Sequence, residues 1–172
     1  MPNKLYVFLE GNDDERFFKH ILAKLLSGKY SKILAMTYAE EPPKITKKYI
    51  KAIISMGDAY IFFHDINDSP CVTACKEKVR TKYQVEENSI MIIVKEIECW
   101  YLCGLDSDCC KKLKIDRNIG NTNSMTKEDF DDLIPEGISR IEFMQQILEK
   151  HKCELGRQKN ESFRYFLRKW ID

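Results

Sequence analysis

The sequence lacks the features that define several large classes of protein. No apolar run approaches the roughly 18 residues that a membrane-spanning helix needs. The first residues form no apolar segment of the kind found in secretory signal peptides. We therefore expect a cytoplasmic protein that has no membrane partner.

Motifs for nucleotide binding, zinc binding and common hydrolase chemistry are also absent. The seven cysteines include no C-x-x-C pair, so we expect reduced thiols buried on helices rather than a zinc site. The sequence contains no Gly-rich phosphate loop, no Gly-x-Ser-x-Gly elbow and no His-Glu-x-x-His. It therefore offers no ATP site, hydrolase triad or zinc-protease site of its own.

Neither sign of charge dominates, since 28 Lys and Arg stand against 27 Asp and Glu. This balance argues against a polycationic nucleic-acid-packaging protein. A chain of 172 residues is long enough to bury a core without a metal or disulfide. We predict a single domain over residues 1–172, with an α/β core at 1–103 and a helical extension at 104–172 packed on it.

Short apolar segments alternate with amphipathic helical patterns through the first part of the chain. Strands are predicted at about 5–9, 33–38, 59–63 and 90–94, with helices at about 12–26, 42–56 and 69–83. Strands that are apolar on both faces and alternate with helices indicate a four-stranded, mainly parallel sheet in a three-layer, Rossmann-like α/β fold. Beyond these elements, helices are predicted at about 99–113, 126–133, 139–151 and 161–171.

Acidic side chains follow three of the four predicted strands. They are Glu10, then Asp65 with Asn67 and Asp68, then Glu96 and Glu98. In a doubly wound sheet, ligands bind beyond the carboxyl ends of the strands, where the winding reverses. Two carboxylates about 4 Å apart repel by about 4 kcal/mol at an effective dielectric near 20, so we expect a cation among them. Carboxylates, water and phosphate are typical ligands of Mg²⁺.

A strand-end acid is more commonly a structural residue than a catalytic one. Asp13 and Asp14, for example, fit the first turn of a helix, where the helix dipole favours negative charge. His64 adjoins the acids and is a candidate proton shuttle, although strand alternation favours its pointing away from Asp65. Trp100 is expected to be a core residue.

Four segments resemble the motifs of Toprim domains, in the same order. The first two are Val7–Glu15, a strand ending in Glu-Gly, and Phe62–Asp68, a strand ending close to Asp-x-Asp. Glu96–Leu102 is similar to a Glu-x-Glu-x-Trp signature of small stand-alone Toprim-like proteins. These are related to the nuclease half of the OLD (overcoming lysogenization defect) family. Ser162–Phe166 resembles the closing Ser-Phe helix of that family.

The resemblance implies specific roles for these residues. The catalytic residues would be Glu10, Asp65 and Glu98. The ligands of Mg²⁺ or Mn²⁺ would be Glu10, Asp65, Asn67, Asp68, Glu96 and Glu98. Late basic residues would bind phosphate, namely Arg157, Lys159 and Arg164. Asn67 stands where the motif has its second Asp, which weakens the predicted metal affinity.

The resemblance implies a Mg²⁺-dependent nucleic-acid phosphodiesterase in phage defence or DNA processing, with an ATPase subunit on a separate chain. An alternative is a non-catalytic interaction or nucleic-acid-binding module that keeps the Toprim-like shape. A third hypothesis is a phosphoacceptor receiver domain with Asp65 as the acceptor, although the Glu-x-Glu-Cys-Trp segment would have no role in such a domain. For the basic residues, a solvated amphipathic helix is the competing explanation.

Overall fold

The computed structural model describes residues 4–172. The chain forms two compact units, and the boundary along the sequence falls between Ile93 and Val94. We call the part up to Ile93 the first unit and Val94–Asp172 the second unit.

The first unit alternates strands and helices, as predicted. Its strands are β1 (Lys4–Leu9), β2 (Lys32–Thr37), β3 (Ala59–Asp65) and β4 (Ile90–Ile93). Its helices are α1 (Asn12–Phe17), α2 (Ala23–Leu26), α3 (Pro43–Ser55) and α4 (Val72–Tyr83), with a π-helical turn at Phe18–Leu22 and a 3₁₀ turn at Glu87–Ser89.

The four strands form one parallel sheet in the order β2-β1-β3-β4. This confirms the predicted α/β class and parallel sheet. The direction of winding reverses between β1 and β3, which pair directly in a register that places Phe8 opposite Phe62. That register decides which side chains meet where the two strands end.

One face of the sheet packs on α3 and α4. The core there combines strand residues such as Phe8 and Phe62 with Ile50 of α3 and Val79 of α4. Helix α1 contacts β1 and β2, and right-handed crossovers put it on the opposite face. The first unit is therefore a three-layer, Rossmann-like arrangement.

The second unit is helical, which confirms a helical C-terminal part. Its helices are α5 (Glu98–Cys103), α6 (Ser107–Lys112), α7 (Lys127–Asp131), α8 (Arg140–Lys150), α9 (Cys153–Lys159) and α10 (Glu161–Phe166), the last continuing as a π-helical turn at Leu167–Ile171. The helix predicted over 99–113 is two helices separated at Gly104, and α9 was not predicted.

Aromatic side chains build the core of the second unit. Trp100 is fully buried, and its ring centroid lies 5.0 Å from that of Phe163. Phe130 packs in the same way between Tyr101 and Phe143. Trp100 is therefore a core residue, as predicted.

The cysteines are free thiols, and five of the seven are buried, as their spacing suggested. Between residues 4 and 172, no helix has the length and apolar character needed to cross a membrane.

Candidate functional site

Two of the predicted acids lie at the carboxyl ends of neighbouring strands. Glu10 directly follows β1, and Asp65 is the last residue of β3. The backbone N–H of Asp65 donates a hydrogen bond of 3.0 Å to Glu10 Oε2. Because the winding of the sheet reverses between these two strands, the contact lies where a doubly wound fold places its ligands.

His64 also faces Glu10. Its Nδ1 lies 3.3 Å from Glu10 Oε2 and 2.7 Å from the hydroxyl of Tyr38. The register explains this, because Phe8 opposite Phe62 puts Glu10 opposite His64 two residues later, on the same face. Strand alternation points His64 away from the face of Asp65, but it places His64 against Glu10.

The hydrogen bonds around Tyr38 fix the proton on His64. The Tyr38 hydroxyl donates its single proton to the carbonyl of Phe63, 2.9 Å away. His64 Nδ1 must then carry a proton, which it shares between the Tyr38 oxygen and Glu10 Oε2. This leaves the Nε2 atom of His64 for contacts outside the network. We call Glu10, Tyr38 and His64 the acid–histidine network.

The environment keeps Glu10 ionised. Burial raises the pKa of Glu10, but hydrogen bonds from His64, from the backbone of Asp65 and from Asn67 outweigh this effect, and the pKa falls below its usual value. Burial, with a contribution from the charge of Glu10, raises the pKa of Tyr38 far above its usual value. Tyr38 therefore stays protonated and acts as a fixed hydrogen-bond donor and acceptor.

Asn67 supports this arrangement as a hydrogen-bond donor. Its Nδ2 donates to the carbonyl of Asp65 over 3.0 Å, and its side chain also hydrogen-bonds to Glu10. Its backbone is left-handed, with φ of 47°, a conformation that Asn tolerates better than most residues. Asp68 follows on the exposed surface. Asn67 thus stabilises a carboxylate at a position where an Asp would repel it.

The neighbouring acids in the first helix are structural, as predicted. Asp14 is buried and accepts a hydrogen bond of 3.1 Å from the backbone of Gly11. Asp13 pairs with Arg16 at 2.6 Å. Both contacts stabilise the start of α1.

The predicted acids Glu96 and Glu98 belong to the second unit, where both have structural partners. Glu98 is buried and forms an ion pair with Arg140, which also pairs with Asp131. Glu96 Oε2 accepts a hydrogen bond of 2.6 Å from the backbone of Lys127, at the start of α7. Both carboxylates thus have partners within their own unit.

The predicted phosphate-binding residues also make contacts within the second unit. Arg157 forms two hydrogen bonds with the carboxylate of Asp172, at 2.6 and 2.9 Å. Lys159 Nζ donates to the carbonyls of Leu105 and Ile119. Arg164 lies 4.0 Å from Glu161 and keeps more of its side chain in solvent than Arg157 does.

Glu10 and Asp65 are the candidate metal ligands at the ends of β1 and β3. Mg²⁺ is usually held by one or two carboxylates, with water and substrate phosphate as its other ligands. Glu10 and Asp65 supply two carboxylates at one edge of the sheet. Across residues 4–172, the structure contains no group of three or more His, Cys, Asp or Glu arranged to hold a metal. An ion there would therefore depend on water and substrate for its remaining ligands.

Sequence reasoning missed Tyr38. The residue directly follows β2 and so reaches the same edge of the sheet as Glu10 and His64. The available signal was its position, because the carboxyl ends of parallel strands share one edge.

Comparison of this chain with protein-family models, with curated proteins and with solved structures finds no match. The resemblance to Toprim domains therefore stays a prediction from the sequence. Any functional assignment has to come from the geometry and chemistry of the acid–histidine network and its neighbours.

Proposed function

We propose that the first unit is a Toprim-like, divalent-metal-dependent phosphodiester hydrolase that acts on nucleic acid. The observation that carries this proposal is the position of Glu10 and Asp65 at the ends of neighbouring strands, where Glu10 Oε2 accepts a hydrogen bond of 3.0 Å from the backbone nitrogen of Asp65. Two acids at the winding reversal of a parallel sheet are an arrangement suited to a metal ion and a phosphate.

In this proposal Glu10 and Asp65 hold Mg²⁺ or Mn²⁺. The ion would supply a polarised water and would offset the negative charge of the phosphate. Asn67 contributes no charge, and its hydrogen bond adds to those of His64 and the backbone of Asp65 that lower the pKa of Glu10. We expect the metal to bind weakly in the absence of substrate, because only two carboxylates neutralise it.

His64 is the candidate for proton transfer. Glu10 and Tyr38 both contact its Nδ1, so the ring is held in one orientation and one tautomer. Its Nε2 can then accept a proton from an attacking water or donate one to a leaving oxygen. Tyr38 acts as a positioning residue, since it reaches the reaction only through His64.

Substitution of the two acids tests the proposal. Wild-type protein, Glu10→Gln and Asp65→Asn are assayed for cleavage of DNA and RNA with Mg²⁺ or Mn²⁺. We expect cleavage by the wild type and a loss of at least about a hundredfold in each variant. Asp58→Asn is the matched control, because Asp58 precedes β3 and lies at the opposite end of the strand. Equal cleavage in all four proteins would contradict the proposal.

A change at Asn67 tests the metal more directly. Asn67→Asp adds a carboxylate beside Glu10, so we expect Mn²⁺ to bind more tightly than in the wild type. Isothermal titration calorimetry measures this affinity without any nuclease assay. If the affinity for Mn²⁺ is unchanged, then the metal does not bind beside Glu10 and Asn67, or no metal binds.

Asn67 also favours a second candidate function. An uncharged residue at the position of the motif's second acid fits a nucleic-acid-binding or interaction module that has lost catalysis. Such a module would bind no Mn²⁺ at millimolar concentration but would still bind nucleic acid. A role in phage defence or DNA processing, with a separate ATPase subunit, is a proposal that rests on the Toprim resemblance alone.

A further inference from the structure

A cavity of about 280 Å³ opens in the first unit beside the acid–histidine network. It lies where β1 and β2 end and α3 begins, and its walls include Phe8, Met36, Thr37, Tyr38, Glu41 and Tyr49. Its volume is at the small end of ligand pockets. We call it the aromatic cavity.

The walls of the aromatic cavity are suited to a flat ring. Phe8 and Tyr38 form part of its buried wall, and both are almost fully excluded from solvent. Tyr49, on α3, also lines the cavity but leaves 54% of its surface exposed. An exposed tyrosine at the mouth of a cavity offers a ring face on which a base can stack.

Tyr38 connects the aromatic cavity to the candidate site. Its side chain lines the cavity, and its hydroxyl lies 2.7 Å from His64 Nδ1. Tyr38 is therefore both a wall of the cavity and a member of the acid–histidine network. A ligand in the cavity would therefore contact a residue of the network directly.

The helix that carries Tyr49 is strongly basic. Among its 13 residues, α3 has four lysines and no acid, and the lysines are Lys44, Lys47, Lys48 and Lys51. Three of these are exposed, and Lys47 is partly so. Lysines along one helix attract the phosphate backbone of a nucleic acid. Their charge thus complements a strand whose base enters the cavity.

We infer that the aromatic cavity binds a nucleobase of single-stranded nucleic acid, stacked on Tyr49, with the adjoining phosphates near the α3 lysines. The inference rests on the proposed function in one respect: the phosphate to be cleaved would lie at Glu10 and Asp65. The carboxylate of Glu41 accepts hydrogen bonds and so favours a base with an exocyclic amino group, such as cytosine, over thymine.

Binding of oligonucleotides in EDTA tests this inference without metal or cleavage. Fluorescence anisotropy compares fluorescein-labelled single strands of about ten nucleotides, made of deoxycytidine, thymidine or abasic sites. The proteins are wild type, Tyr49→Ala, Tyr49→Phe, Glu41→Gln and Ile54→Ala. Ile54 is the matched control because it is exposed on the same helix and does not line the cavity.

We expect the wild type to bind oligodeoxycytidine about tenfold more tightly than the abasic strand of equal charge. Tyr49→Ala should abolish this difference, whereas Tyr49→Phe and Ile54→Ala should keep it. Glu41→Gln should reduce the preference for deoxycytidine over thymidine. The inference is wrong if the wild type does not bind oligodeoxycytidine more tightly than the abasic strand, or if Tyr49→Ala keeps this difference in affinity.

The same assay separates this inference from the proposed function. If the wild type binds oligodeoxycytidine more tightly than the abasic strand in EDTA but cleaves nothing with Mg²⁺ or Mn²⁺, the inference holds and the proposed function is wrong. If Tyr49→Ala instead changes the sedimentation of the free protein and leaves nucleic-acid binding intact, the cavity faces a second copy of the chain, and the inference is wrong.

Discussion

Trp100 Nε1 donates a hydrogen bond of 2.8 Å to Ser162 Oγ. The two residues are 62 positions apart, and both are buried. Ser162 in turn donates to Asn160 Oδ1 at 2.8 Å, and the same oxygen accepts from the backbone of Phe163 at the start of α10. Asn160 also donates to Thr122 at 3.0 Å. Asn160 is thus the centre of a buried polar network in the second unit.

Removal of the Asn160 side chain should strongly destabilise the second unit. Asn160→Ala deletes the N-cap of α10 and leaves buried donors and acceptors without partners, so we expect a loss of about 3 kcal/mol in the free energy of unfolding. Urea denaturation measures this change. Asn118→Ala, on the exposed surface, is the control and should change stability by less than about 0.5 kcal/mol. Equal effects of the two substitutions would contradict the role of the network.

Gly156 permits the close approach of two side chains, those of Cys103 and Phe163. A Cβ atom at this position would lie 2.8 Å from both Cys103 Sγ and a ring carbon of Phe163. Gly156→Ala should therefore cost about 1–3 kcal/mol through overpacking, despite the better helix propensity of alanine. Thermal unfolding measures the effect. Gly120→Ala is the control, since a Cβ there meets nothing within 4 Å.

The same glycine explains why α9 was not predicted from the sequence. Gly156 is the only residue of Cys153–Lys159 that is buried, so the segment shows no apolar periodicity. The break within the predicted 99–113 helix has a clearer signal in the sequence. Gly104 ends α5, and Asp106 caps α6 by accepting a hydrogen bond of 2.8 Å from Cys109.

For the candidate site, the sequence was sufficient to place Glu10 and Asp65 at one edge, because strand order 2-1-3-4 is common in doubly wound sheets. It was not sufficient to orient His64. That orientation depends on the register of β1 against β3, which local sequence patterns do not determine when both strands are apolar throughout. The contact between Glu10 and His64 therefore required the three-dimensional arrangement.

His151 should make the stability of the second unit depend on pH. Burial lowers the pKa of His151 to about 4, and its Nε2 donates a hydrogen bond of 2.9 Å to the carbonyl of Trp100. An unfolded histidine has a pKa near 6.5, so the unfolded state binds more protons between about pH 4 and 6.5. Stability is therefore complete above about pH 6.5 and falls as the pH drops toward 4.

We expect this loss to reach about 2 kcal/mol at pH 5. In His151→Gln, the difference in unfolding free energy between pH 7 and pH 5 should be smaller than in the wild type by that amount. His20→Gln is the control, because His20 is exposed. If His151→Gln and His20→Gln have the same pH dependence as the wild type, then His151 is not buried in its neutral form.

Glu98 presents a choice between a structural and a catalytic role. Its carboxylate is buried and paired with Arg140, whose guanidinium also lies 5.0 Å from the ring centroid of Phe130. If the pair is structural, Arg140→Met leaves a buried charge and should cost about 3 kcal/mol in unfolding free energy. The double variant Glu98→Met/Arg140→Met should recover much of that loss, because no buried charge then remains.

Chemical denaturation of the single and double variants measures the coupling between Glu98 and Arg140. The variant Glu98→Gln distinguishes the two roles if both its nuclease activity and its unfolding free energy are measured. In the structural role, Glu98→Gln lowers the stability of the second unit, while the folded fraction keeps its metal-dependent cleavage. If Glu98→Gln instead leaves stability intact and abolishes cleavage, Glu98 has the catalytic role that the resemblance implies, and the ion pair with Arg140 serves to hold it in place.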